Sequence, residues 1–145
     1  MPLQLTLYQA ATDDLAPSPT AQAAPPWARY LSGVDGQWVG GGGFTDAPRD
    51  GEVEIGYFTL PNHQRQGHGR ATAAALLAIA HHANPRLAVV ATTLRSPVET
   101  PESPSAIASA RILSSLGFCR AGALIDADGT PVWRWRNTPK TGPPR

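Results

Sequence analysis

The stretch HQRQGHGRATAAALLAIA, residues 63–80, sets Gly67 and Gly69 among Gln64, Arg65, Gln66, His68 and Arg70, then runs at once into helix-forming residues. A helix start carries main-chain N–H groups with no intrahelical acceptor, together with the positive end of the helix dipole. Glycines let a loop turn tightly and bring a ligand close to those donors. With Arg65 and Arg70 alongside, the combination suits a phosphate or diphosphate. It equally describes a tight strand-to-helix connection, and the glycine spacing alone leaves both readings open. Two better-known phosphate loops are excluded by residue type. A P-loop needs Lys after its last glycine, and the chain's Lys is Lys140, far away. A dinucleotide-binding fingerprint needs Gly or Ala where Thr72 stands, and an acidic residue further on that NPRLAVVA does not contain.

Other side chains invite chemistry. Glu54 lies between Val53 and Ile55 in GEVEIGYFTLP, a segment rich in β-branched and aromatic residues. An unpaired carboxylate in such a strand is costly. With a raised pKa it can take a proton, directly or through water; the alternative is that it pairs with an arginine or caps a loop. Glu52 shares its parity and comes second as a candidate base. His63, His68, His81 and His82 show no ligand spacing with a third partner, so no metal is expected. Cys119 follows Gly117 and Phe118 at a strand start and is read as a core residue. The period-2 spacing of Trp133 and Trp135 puts both on one sheet face.

These residues need a scaffold. At 145 residues the chain fits one domain, read as residues 1–137 with a frayed tail at 138–145. Twelve basic and 11 acidic residues give a net charge of +1, so nothing suggests nucleic acid. A single cysteine excludes an intrachain disulfide. The N-terminus lacks a signal pattern and the longest apolar run is too short to span a bilayer, so a cytoplasmic protein without membrane contact is expected. LQLTLYQ alternates like a half-buried strand, and ARYLSGVDGQWVGGGGF reads as a hairpin turning at Asp35-Gly36. Gly40, Gly41, Gly42 and Gly43 mark a strand with little side chain, where a bulge forms or another backbone comes close. The segment after Gly69 is the best helix and ends at Asn84-Pro85. RLAVVATTL reads as a buried strand, SAIASARILSSLGF as a helix closing at Gly117, and CRAGALI with TPVWRWR as a hairpin around DADG. The order is that of an α/β (α+β) fold whose central unit is a strand–helix–strand crossover or its splayed equivalent.

Gln64, Gly67 and Gly69 fit the pattern Q/R-x-x-G-x-G/A, and in this the chain resembles the GNAT superfamily of N-acetyltransferases. VEIGYFTLP before the loop is similar to that family's fourth strand, especially in the ribosomal-protein N-terminal acetyltransferase branch, and ASARILSSLGF to its later helix. The resemblance covers about residues 27–136. It implies one domain with a mixed, mostly antiparallel twisted sheet of six or seven strands, helices on both faces and a splayed central strand pair. It implies acetyl-CoA as cosubstrate. The amides of Arg65, Gln66, Gly67, His68, Gly69 and Arg70 would wrap the diphosphate. The main chain of Tyr57, Phe58 and Thr59 would pair with the pantetheine arm, and a backbone N–H near Thr59 would stabilise the thioester oxygen.

The activity implied is direct acetyl transfer to a primary amine of a small molecule or peptide, with Glu54 as base, by a monomer or homodimer. The family's frequent tyrosine acid and cofactor-binding asparagine would fall at Leu113 and Ala106 and are absent. Ser109 fits one version of this helix, where it would hydrogen-bond the leaving sulfur; it is otherwise a helix-face serine. A non-catalytic acetyl-CoA or CoA sensor, or an interaction module on the same fold, is the alternative function.

Overall fold

The computed structural model describes residues 3–7, 25–95 and 104–138, with side chains of the last stretch from Ile107 onward. Strands β1 (Gln4–Leu7), β2 (Arg29–Val34), β3 (Gln37–Phe44) and β4 (Glu52–Thr59) pair antiparallel in chain order. Helix α1 (His68–Ala83) carries the chain from β4 to β5 (Ala88–Leu94). Helix α2 (Pro104–Ser115) follows, and the hairpin of β6 (Cys119–Ile125) and β7 (Pro131–Asn137) closes the chain. The seven strands form one sheet in the order β1-β2-β3-β4-β5-β7-β6, because β7 inserts beside β5 and leaves β6 at the edge.

The turns are those the residues dictate. Asp35 and Gly36 both take positive φ, 53° and 77°, as a two-residue hairpin demands. At the end of α2, Phe118 N–H reaches Leu113 O and Gly117 N–H reaches Ser114 O, with Gly117 left-handed at φ 92°. This is a Schellman closure, and its apolar pair Leu113 and Phe118 is buried in the core. In β3, a side chain on Gly42 would put its Cβ 2.7 Å from the Gly56 carbonyl oxygen, so the run of glycines lets β3 and β4 pack closer than side chains allow.

The one parallel pair, β4 with β5, holds only from Glu52↔Ala88 through Val53↔Val89 to Glu54↔Val90. Beyond it β4 continues against β3 to Thr59, while β5 continues against β7 to Leu94. A wedge therefore opens in mid-sheet, the splay that the family resemblance implies. One sheet face carries Val53, Ile55, Val89, Ala91 and Trp135, and Ala73, Leu76 and Ala80 of α1 join Leu113 of α2 in the same apolar cluster. Both described helices thus cover one face. The other face is polar along β4 and β7, with Glu52 between Arg134 and Arg136. Residues 8–24 and most of RSPVETPESPS lie outside the described residues, as does the tail beyond Thr138.

Cys119 departs from the sequence expectation: it is exposed. The edge position of β6 explains this, since every residue of that strand is solvent-accessible. No helix among the described residues is long and apolar enough to cross a membrane.

Candidate active site

The glycine loop leaves β4 through a short turn at Pro61–His63. Arg65 takes a left-handed φ of 65°, and Gly67, capping α1, takes 85°. For Arg65 that conformation is a local strain, which clusters at ligand sites; for Gly67 it is the reason for glycine. The first hydrogen bond of α1 runs from Ala71 N–H to Gly67 O, so the N–H groups of His68, Gly69 and Arg70 have no partner within the helix. Gly69 is constrained by space: a Cβ would meet Ile112 Cδ1 at 3.2 Å and Thr59 Oγ1 at 3.3 Å. Here α1, α2 and the end of β4 converge.

Strand parity decides which β4 groups face the wedge. Leu60 N–H bonds Val39 O and Thr45 N–H bonds Glu54 O, so the even-numbered residues of β4 turn their main-chain groups to β3. Phe58 is among them, paired with Gly41, and the expectation that its main chain serves a ligand arm is corrected on that ground. Tyr57 and Thr59 face the other way, toward the side β5 has left. Gln64 Nε2 donates to Thr59 O at 3.1 Å and ties the loop to this open edge.

Edge and loop share a cleft of about 780 Å³. Tyr57, Phe58 and Thr59 form one wall, Gln64, Arg65, Gly67, Gly69 and Arg70 the loop end, and Ala108, Ser109, Arg111 and Ile112 of α2 the far wall. Gln66 and His68 do not line it. Arg70 Nε donates to Ser115 Oγ at 3.0 Å, which commits part of this guanidinium to bracing α1 against α2. Arg111 was not singled out from sequence. Its signal was present: it stands three residues after Ala108 and one before Ile112 on a helix whose apolar side, Leu113, is fixed by the core. Unpaired N–H donors, Arg65, Arg111 and an open strand edge together fit an anionic head with an extended, amide-bearing arm.

Two side chains flank the wedge from opposite faces. Tyr57 packs on the helix side. Its Oη is buried without a hydrogen-bond partner, and burial pushes its pKa up to about 12. Ser109 opposes that push, although the two hydroxyls stop short of a formed hydrogen bond. Leaving such a hydroxyl unpaired costs on the order of 1–3 kcal/mol. Glu54 points to the polar face, half-buried, and burial raises its pKa against the weaker pull of the Arg134 charge. Glu52 is different: Arg134 Nη2 and Arg136 Nε donate to its two oxygens at 2.6 and 2.9 Å. The Arg134 hydrogen bond leads in holding its pKa below the ordinary value. Glu52 is thus an ion-pair anchor and no longer a candidate base, while the pairing weighed for Glu54 has gone to its neighbour. Leu113, 1% exposed, belongs to the core. Gly56 faces open space, so the polar side of the wedge is accessible beside Glu54. No group of three metal-ligating side chains occurs among the described residues.

A mixed sheet splayed between β4 and β5, with a glycine loop at the mouth of the wedge, defines an acetyltransferase-type fold. The family model of the acetyltransferase (GNAT) family matches residues 5–96, more than half of the sequence, and the chain belongs to that family. No curated protein sequence matches it. Among solved structures it resembles a ribosomal-protein-S5-alanine acetyltransferase of Vibrio fischeri (TM-score 0.63, 16% identity, covering 81% of this chain and 64% of that one). It also resembles yncA of Salmonella typhimurium, solved with acetyl-CoA (TM-score 0.61, 21% identity, 83% and 69%). A GNAT-family structure from Bordetella pertussis gives a TM-score of 0.57 at 24% identity, covering 77% of this chain and 65% of that one. The chain therefore spans about two thirds of the length of the structures it matches.

Proposed function

We propose that the chain transfers an acetyl group from acetyl-CoA to a primary amine, by direct attack within a ternary complex. The observation that carries this is the meeting, in one cleft, of an unpaired β4 edge and a loop of unpaired amides. The amides of Gly67, Gly69 and Arg70 would hold the diphosphate, with Arg65 and Arg111 supplying positive charge. Tyr57 and Thr59 would hydrogen-bond the pantetheine amides as a neighbouring strand would. That directs the thioester toward the point where β4 and β5 part. The amine would arrive from the polar face, where Glu54, its pKa raised, accepts the proton that the nitrogen loses. The main-chain N–H of Tyr57, nearer the point where the strands part than Thr59, would stabilise the developing oxyanion.

A peptide N-terminus and a small-molecule amine are both acceptors this arrangement can take. The S5-alanine acetyltransferase and a spermidine N-acetyltransferase from Vibrio cholerae among the similar structures represent the two classes. The test is calorimetric titration with CoA beside a thiol-release assay over peptides, polyamines and other amines. Micromolar CoA binding with turnover of at least one amine supports the reading. Binding with no turnover on any acceptor would support a non-catalytic CoA sensor, and no binding would remove the reading.

A further inference from the structure

The Tyr57 hydroxyl is a buried polar group that neither the diphosphate loop nor Glu54 explains. Among the described residues, Tyr57 Oη and Arg95 Nε are the buried side-chain polar atoms without a hydrogen-bond partner, and only Tyr57 lines the cleft. A phenylalanine would pack the same space without an orphaned donor. A ligand atom that accepts a hydrogen bond accounts for the hydroxyl.

We propose that Tyr57 Oη, with Ser109 beside it, donates a hydrogen bond to the thioester sulfur and stabilises it as it leaves. This rests on the acetyl-CoA reading above and adds a catalytic residue to it. Two observations select the sulfur. Tyr57 projects to the helix-covered face, packed against the core beneath α1, while Glu54 on the alternate parity lies on the opposite face. A sulfur on an arm lying along the helix side would meet Tyr57, and a nitrogen arriving past Glu54 would not. Along β4, Tyr57 also lies between the loop end at Thr59 and the last β4–β5 pair at Glu54, where the end of an arm anchored at the loop arrives.

The balance of the step is simple. The amine nitrogen forms a bond to the carbonyl carbon, and its proton passes to Glu54 and on to water. The C–S bond breaks with its electron pair staying on sulfur. Tyr57, with a pKa of about 12, keeps its proton at any working pH and shares it with the departing thiolate. The thiolate, a weaker base at about 8.5 by analogy with cysteine, then takes its own proton from water in the open cleft.

The experiment compares binding of CoA and desulfo-CoA to the wild-type chain, Tyr57→Phe and Ser109→Ala by calorimetry, alongside the thermal stability of each unliganded protein. The wild type should prefer CoA by roughly threefold to tenfold, the net contribution of one hydrogen bond. Tyr57→Phe should bind both equally, and Ser109→Ala should keep part of the preference. Unliganded Tyr57→Phe should melt no lower than wild type, a result that a structural hydroxyl would not give. With a responsive amine, Tyr57→Phe should lower kcat and leave the acceptor KM unchanged. An undiminished preference for CoA in Tyr57→Phe, or equal binding of both ligands by wild type, overturns the proposal while leaving the acetyl-CoA reading intact. Failure of wild type to bind either ligand overturns both.

Discussion

Replacing Gly67 and Gly69 separately with alanine tests whether the loop works by conformation, because the two glycines are required for different reasons. Gly67 has φ 85° and nothing within 4 Å of the place its Cβ would take. Alanine there meets no obstacle, only the left-handed penalty of roughly 1–2 kcal/mol. That penalty has two places to appear. If the loop keeps its shape, unfolding stability falls by that amount, about 2–4 °C in melting temperature for each kcal/mol in a chain of this size. If the loop relaxes when empty, stability holds and the cost returns on binding, as roughly fivefold to thirtyfold weaker CoA affinity. The two losses together should come to about 1–2 kcal/mol however they divide. Gly69 lies inside α1, where alanine gains roughly 0.5–1 kcal/mol of helix preference. Its Cβ would press on the movable ends of Ile112 and Thr59, so stability should change little while the narrowed junction weakens CoA binding. Urea unfolding and calorimetry on both variants supply the numbers. If Gly67→Ala equals wild type in stability and affinity together, the left-handed cap is not what shapes the site.

Further outcomes follow from the side chains around the wedge. Glu54→Gln should lower turnover at neutral pH by roughly a hundredfold or more while changing CoA affinity little. In the wild type the rate should climb as pH rises through the elevated Glu54 pKa, and that limb should vanish in the variant. Arg111→Ala should weaken CoA several-fold and make binding less sensitive to salt, measured by titration at two ionic strengths. Glu52 has its pKa lowered, so its contribution to stability is complete above the ordinary value near 4.5 and is lost as pH falls through the depressed one. Glu52→Gln should accordingly flatten that part of an acid-unfolding curve and change neutral stability modestly, since its arginines are partly exposed.

The elements were largely legible because their signals are local. Asp35-Gly36 fixes one hairpin, the alanines and leucines after Gly69 fix α1, and Leu113, Gly117 and Phe118 together write the end of α2. The glycine loop was legible for the same reason: seven neighbouring residues carry it. What escaped depends on register between distant segments. Nothing near Glu52 announces that Arg134 and Arg136 will reach it, 82 and 84 positions on. Nothing near Tyr57 announces that its hydroxyl will be stranded opposite Ser109. The family resemblance implies Tyr57, Phe58 and Thr59 as one binding edge, but an extended strand turns alternate residues to opposite neighbours, and Phe58 faces β3. Cys119 looked internal beside Phe118, and only the insertion of β7 before β6 places it at the rim.

The short seam between β4 and β5 has a mechanical consequence. Two half-sheets, each continuously laced within itself, meet along three residue pairs, like book covers joined by part of a spine. An arm lying along Tyr57 and Thr59 would lengthen that spine and stiffen the halves against each other. Occupancy should therefore register as slowed amide exchange at these two positions and damped motion of the β6–β7 hairpin, with the cosubstrate acting as a clasp as well as a donor.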